Sequence, residues 1–211
     1  MTQKKEPTSQ DSIIEANRYR GKFSGHARSL GSAGYVDPND QQQNMDFLGK
    51  REDTISLSPP ANGFEDVIIA AAWDNQDVKD TSLLGRVLKK TKPANIDLDL
   101  GILYELNDGR RGAIQALGNT IGHYNEAPFM ALSGDERTGV KDGDDEFIHL
   151  NGRQWGQFKR ILVYIYIYAG AEDWAQVRPQ VHLRVQGQKP VIITLSSHHK
   201  GLGLCAIAGV E

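Results

Sequence analysis

Apolar positions along this chain fall into short runs broken by Gly, Asp, Asn and Pro, and the runs have strand length. Val67 to Trp73 (VIIAAAW) is a continuous apolar run of the kind a buried strand needs. Leu98 to Leu106 and Gly112 to Leu117 predict two more strands, and Asn107-Asp108-Gly109 between them is a hairpin signal. Further strands are expected at Pro128 to Leu132, Phe147 to Leu150, Val181 to Val185, Val191 to Leu195 and Leu204 to Ala208. The clearest alternation lies in Phe158 to Tyr168. Ile161, Val163, Ile165 and Ile167 share one face, while Leu162, Tyr164, Tyr166 and Tyr168 share the other. The aliphatic face belongs in a core. The tyrosine face predicts cross-strand aromatic packing rather than a ligand platform.

Helical periodicity is confined to one stretch. Asp80-Thr81-Ser82 offers an N-cap, Leu83, Leu84, Val87 and Leu88 fall on one side, and Lys89, Lys90 and Lys92 crowd the end before Pro93. Many short strands with frequent turns and one short inserted helix predict an all-β, two-sheet β-sandwich. Residues 1–52 are rich in Gln, Ser, Asn and charge, without sustained periodicity. Such a segment buries too little apolar surface to offset its ordering entropy, so it is expected to be disordered or loosely attached to a domain spanning 53–211. Arg18 to Phe23 (RYRGKF) interleaves basic and aromatic residues. A solvated tail accounts for it better than a single-strand nucleic-acid contact.

Composition narrows the classes. The 211 residues carry 24 Lys plus Arg against 27 Asp plus Glu, a net of −3, which is not the basic excess of a dedicated nucleic-acid binder. The single cysteine, Cys205, excludes an internal disulfide and a Cys-based zinc site. The opening MTQKKEPTSQ lacks the apolar core of a secretory signal, and no run approaches a membrane span. A soluble cytoplasmic protein is the resulting expectation.

The near-neutral total hides an asymmetry. Residues 97–146 hold 11 acids and 4 bases, a net of −7, and the remainder holds 16 acids and 20 bases, a net of +4. Two features concentrate the acid. Asp97 and Asp99 begin a strand on one face, about 6–7 Å apart, with Leu98 turned away. Ser133 to Glu146 (SGDERTGVKDGDDE) is a glycine-punctuated loop leading into the next strand. Clustered carboxylates repel one another unless a cation sits between them. Calcium takes six to eight oxygens in flexible geometry, and Asp97, Asp99, Asp135, Asp142, Asp144, Asp145 and Glu146 supply enough for two ions. Magnesium keeps more of its waters, and transition metals would call for His or Cys at ligand spacing. Asp135 to Glu146 is not an EF-hand, because Arg137, Gly139 and Val140 stand where ligands and the turn glycine belong.

Ala72-Trp73-Asp74, the DLDL of 97–100, and the run from Ser133 through Glu146 resemble the signature of the TerD-type tellurite-resistance and stress-response proteins. LYELNDGRRGAIQALGN and SSHHKGLGLCAIAGVE are similar to the TerA branch. The resemblance covers roughly residues 53–211. It implies a cytoplasmic bacterial β-sandwich that binds calcium through acidic loops at one end. It also implies membership of an assembly of Ter-type proteins linked to tellurite, phage and colicin resistance. One partner of that assembly is membrane-associated, which would place the protein beside the inner membrane. Carried over by motif, the ligands are Asp97, Asp99, Asp135, Asp144, Asp145 and Glu146, followed by Asp142 and Asp74. Family members continue past the stretch matching Leu204–Val210, so here either the last strand is supplied differently or the sheet edge is exposed, and an exposed edge would favour pairing with another chain.

Two other functions use the same acids. A metal-dependent phosphohydrolase would hold two metals about 3.5–4 Å apart, with His149 or His123 as base. No GxSxG elbow and no GxxxxGK[ST] loop accompany them. Calcium-dependent membrane docking would need apolar or basic loop tips, which Val140, Lys141 and Arg137 offer only thinly.

Overall fold

The computed structural model describes residues 35–37, 39, 44–59, 63–74, 77–79, 91–93, 96–132, 146–174, 177–195 and 201–211. Thirteen strands are seen among them: β1 (Asp46–Leu48), β2 (Asp66–Asp74), β3 (Asp77–Lys79), β4 (Thr91–Pro93), β5 (Asp97–Leu106), β6 (Arg111–Ile114), β7 (Gly122–His123), β8 (Met130–Leu132), β9 (Glu146–Asn151), β10 (Phe158–Ala169), β11 (Arg178–Val185), β12 (Val191–Thr194) and β13 (Leu204–Val210). Seven form one sheet in the order β1-β12-β11-β2-β9-β8-β7, and four form a second in the order β13-β10-β5-β6. The two pack face to face. Ile69, Ala71 and Trp73 of β2, Ile148 and Leu150 of β9 and Val181 of β11 meet Leu98, Leu100 and Ile102 of β5 and Ile161, Val163 and Ile165 of β10 in one cluster. The fold is an all-β, two-sheet sandwich.

Why β2 reads as an unbroken apolar run is visible in its position. Ile69, Ala71 and Trp73 face the core, and Ile68, Ala70 and Ala72 on the other face are equally buried. A strand covered on both sides gains from apolar residues at every position. The hairpin signal also holds. β5 and β6 pair antiparallel with Glu105 opposite Arg111, and Gly109 turns with φ +88 and donates to the Leu106 carbonyl at 3.0 Å.

Three regions differ from the sequence expectation or lie beyond it. Lys92 and Pro93 are not the end of a helix. They belong to β4, which pairs with β3 so that Val78 faces Lys92 and Asp77 faces Pro93. A short hairpin base leaves no periodic signal, and an isolated two-stranded ribbon has open edges where Pro is tolerated. The remaining inserted segment, residues 80–90, lies outside the described residues. Within the segment expected to be loose, Asp46–Leu48 pairs parallel with β12, Asp46 opposite Val191. Val36 is buried and exchanges two hydrogen bonds with Gln180, its N–H donating at 2.9 Å and its carbonyl accepting at 2.6 Å. Backbone pairing of this kind needs few apolar residues, so composition does not register it. Residues 1–34 lie outside the described residues.

Candidate metal centre

The acids at the start of β5 are placed by alternation. Leu98, Leu100 and Ile102 enter the core, which turns Asp97 and Asp99 to the outer face of the four-stranded sheet. Asp99 is 5% exposed and sits opposite Tyr166 in register, while Asp97 is half-buried opposite Ala169. The indole N–H of Trp73 donates to the Ile96 carbonyl at 3.1 Å. That bond ties the end of β2, where the backbone of Asp74 follows, to the residue before Asp97. The Asp74 side chain lies outside the described residues.

Glu146 is the third acid at this end among the described residues. It opens β9 in the other sheet, is 2% exposed, and its Oε2 accepts the backbone N–H of Leu100. The reason lies in strand lengths. β6 ends at Ile114, opposite Ile102, so β5 continues toward Asp97 with no neighbour from β6. A buried N–H on that stretch must find another acceptor. The Glu146 carboxylate supplies it, and in doing so bridges the two sheets one residue from Asp99.

The acidic loop is anchored at the same place. Residues 133–145 join Leu132 of β8 to Glu146 of β9, and those strands are paired with Leu132 opposite Ile148. Asp135, Asp142, Asp144 and Asp145 lie outside the described residues. The structure therefore brings Asp97, Asp99 and Glu146 to one end of the sandwich, and the chain that carries the other four acids leaves and returns there. Among the described residues, no group of three or more His, Cys, Asp and Glu gathers at metal-holding geometry.

Two tyrosines border the acids, and the sequence pattern did not assign them that role. Burial, then the charges of Glu146 and Asp99, raises the Tyr164 hydroxyl above its ordinary value. Burial, with the Asp99 carboxylate beside it, raises Tyr166 further. Both therefore stay protonated and neutral at physiological pH. The rings stack on each other with centroids 6.4 Å apart. Tyr164 also lies across its register partner Gly101 and donates its hydroxyl to Gln115 Oε1. The rings pack along β10 and onto Gly101 rather than ring to ring across strands as expected, and they border the carboxylates. Register alone could have found the Asp99–Tyr166 pairing once β5 and β10 were known to be neighbours.

The donor chemistry suits a hard cation. Among the described residues, the acids at this end offer carboxylate oxygens, which hard cations take, whereas zinc and copper favour thiolate or imidazole. The two histidines considered as bases have other work. His149 is 3% exposed, and its Nε2 lies 2.8 Å from Asp66 Oδ1, which also accepts the Tyr124 hydroxyl. Asp66 begins β2, at the opposite end of that strand from Asp74. His123 Nδ1 accepts the N–H groups of Asn125 at 3.2 Å and Glu126 at 3.0 Å, stabilising its own turn.

No family model matches the chain. The chain is 38% identical over 161 residues to the tellurium resistance protein TerA of an Alcaligenes species, covering 76% of this chain. It spans 46% of that relative's length. A crystal structure of a homologue of the telluride resistance protein TerD from Streptomyces coelicolor aligns with a TM-score of 0.39 and 17% identity, covering 71% of this chain and 92% of that one. No helix among the described residues is long and apolar enough to cross a membrane. With the DLDL strand, the glycine-punctuated acidic loop and 38% identity across three quarters of its length, the chain belongs to the TerD-type tellurite-resistance family.

Proposed function

We propose that this protein is a calcium-binding, non-catalytic interaction module of a bacterial stress-response assembly. The observation that carries the reading is the bridge from Glu146 to Leu100. It sets a buried carboxylate beside Asp99 at the point where the acidic loop is rooted. In this reading Asp97, Asp99 and Glu146 are the strand-borne ligands. Asp135, Asp142, Asp144 and Asp145 supply the rest from the loop, with Asp74 at the margin, and up to two ions are held. Two bound calcium ions would offset about half of the net charge of −7 that residues 97–146 carry and fix the loop against the sheet. The ordered loop then becomes a surface that a partner reads, and other Ter-type proteins are the partners proposed, in the cytoplasm or beside the inner membrane.

A ligand that binds only the folded state stabilises it by RT ln(1 + [L]/Kd), about 2.7 kcal/mol at a hundredfold excess over Kd. For a chain of this size that corresponds to a rise in Tm of roughly 5–10 °C. A thermal melt of the chelator-stripped protein, repeated in millimolar calcium, should show such a rise. Identical melts with and without calcium would refute the reading.

A further inference from the structure

The end of the four-stranded sheet away from Asp97 and Asp99 wears its cations outermost. Arg111 of β6 and Arg160 of β10 flank Glu105 of β5 in one cross-strand row, and Lys159 joins them at the irregularity that opens β10. All three pair with that carboxylate, Arg111 at 3.2 Å, Lys159 at 3.0 Å and Arg160 at 2.6 Å. Their side chains are 70%, 56% and 58% exposed, whereas that of Glu105 is 6% exposed. One carboxylate thus lies beneath three cations, and an approaching surface meets a net positive row. The neighbouring pair of Arg110 with Asp108 at the hairpin is neutral overall.

The next row on the same face is apolar. It runs from Ala113 through Leu103 and Leu162 to Gly209, across β6, β5, β10 and β13. The leucines are 48% and 40% exposed. Their row neighbours end at a methyl group and a hydrogen, so the pair stands proud of the sheet. Successive rows on one face lie about 6.6 Å apart, close enough for leucines and cations to meet one partner together. Asp99 and Asp97 lie about 20 Å and about 26 Å along β5 from the cation row.

We infer that this end of the sheet docks directly on an anionic lipid surface. Arg111, Lys159 and Arg160 meet phosphate-bearing headgroups, and Leu103 and Leu162 enter the boundary between headgroups and acyl chains. Long cations beside proud apolar side chains suit such a boundary, where apolar burial and headgroup attraction add. A headgroup layer is fluid and asks for no matched cavity, whereas a folded protein partner needs one. A nucleic acid would gain nothing from the leucines. At about 0.1 M salt, charges more than about 10 Å apart are largely screened, so Asp99 and Asp97 do not cancel the attraction. The contact is made by this chain's own side chains and does not depend on calcium binding.

Co-sedimentation of the full chain with vesicles tests this, with chelator present throughout so that the outcome stands apart from the calcium reading. Phosphatidylcholine vesicles are compared with vesicles in which about a third of the lipid is phosphatidylserine. At about 0.1 M salt the anionic vesicles should bind about tenfold more tightly, and about 0.5 M salt should remove the difference. Lys159→Gln with Arg111→Gln should weaken binding about tenfold or more, since each cation at the surface contributes about fivefold. Arg160 keeps Glu105 paired in that variant, and circular dichroism checks the fold. Should it misfold, Lys159→Gln alone should still weaken binding about fivefold. Leu103→Ser with Leu162→Ser should weaken it about threefold or more. Equal binding to both vesicle types, anionic binding that survives high salt, or binding unmoved by the cation variants overturns the inference. Absence of binding to either vesicle overturns it as well, and would leave the two rows to an acidic protein surface.

Discussion

Glu146 reaches from one sheet to accept the backbone N–H of Leu100 in the other, on the stretch of β5 that β6 leaves uncovered. The bond gives Glu146 a structural duty separable from its charge. Glu146→Ala should leave the Leu100 N–H buried without its acceptor and cost about 1–3 kcal/mol. Glu146→Gln keeps an oxygen acceptor and should lose less stability, while removing the charge that a cation would meet. Urea denaturation of the two variants separates the effects, and equal losses would show that the bond contributes little.

Gly101 and Tyr164 form a second strand-to-strand device. A Cβ on Gly101 would run into the Tyr164 ring, which occupies the space a side chain would need. Gly101→Ala should therefore destabilise by about 1–3 kcal/mol through overpacking. The cost should shrink by at least about 0.5 kcal/mol when Tyr164→Ala is also present. A double-mutant cycle measured by thermal or urea unfolding checks this, and additive losses would deny the contact.

Glu105 predicts one acid transition. Hydrogen bonds from Lys159 and Arg160, then Arg111, lower its carboxyl from 4.5 to about 2. A depressed carboxyl stabilises the fold above its unfolded value. The contribution should fade as pH falls from about 4.5 toward about 2. Glu105→Gln should flatten the stability profile across that window, which chemical denaturation at stepped pH will show.

His182 predicts another at higher pH. It is fully buried on the outer face of the larger sheet, and burial, with Arg184 nearby, lowers it from 6.5 to about 4. The folded state holds this ring neutral while the unfolded chain takes up a proton below 6.5. Stability should therefore be complete above about 6.5 and decline as pH falls to about 4. His182→Gln should reduce the slope in that interval whatever it does to stability at pH 8. An unchanged slope would assign the decline to another group.

Much of this architecture is legible in the sequence because period-two alternation reports burial directly. Ile161, Val163 and Ile165 lie in the core, and Asp97 and Asp99 lie on the opposite face from Leu98 and Leu100, as spacing alone requires. The hairpin at Asp108-Gly109 is legible because its positive φ demands glycine. β1, β3 and β4 are not, since strands of three residues show no period; β1 rests on β12, distant in sequence, and β3 and β4 on each other across the inserted segment. The acids of the candidate centre announce themselves by composition. Their setting does not, because the Glu146–Leu100 bond and the Trp73–Ile96 bond depend on which strand end is left uncovered.

The central claim is that these acids hold calcium. Isothermal titration of calcium into the chelator-stripped chain tests it most directly, with Asp99→Asn and Glu146→Gln alongside. The account predicts saturable binding of one or two ions per chain, weakened at least tenfold in each variant, with magnesium a poor competitor. No heat of binding at millimolar calcium, or binding that both variants leave unchanged, would contradict it.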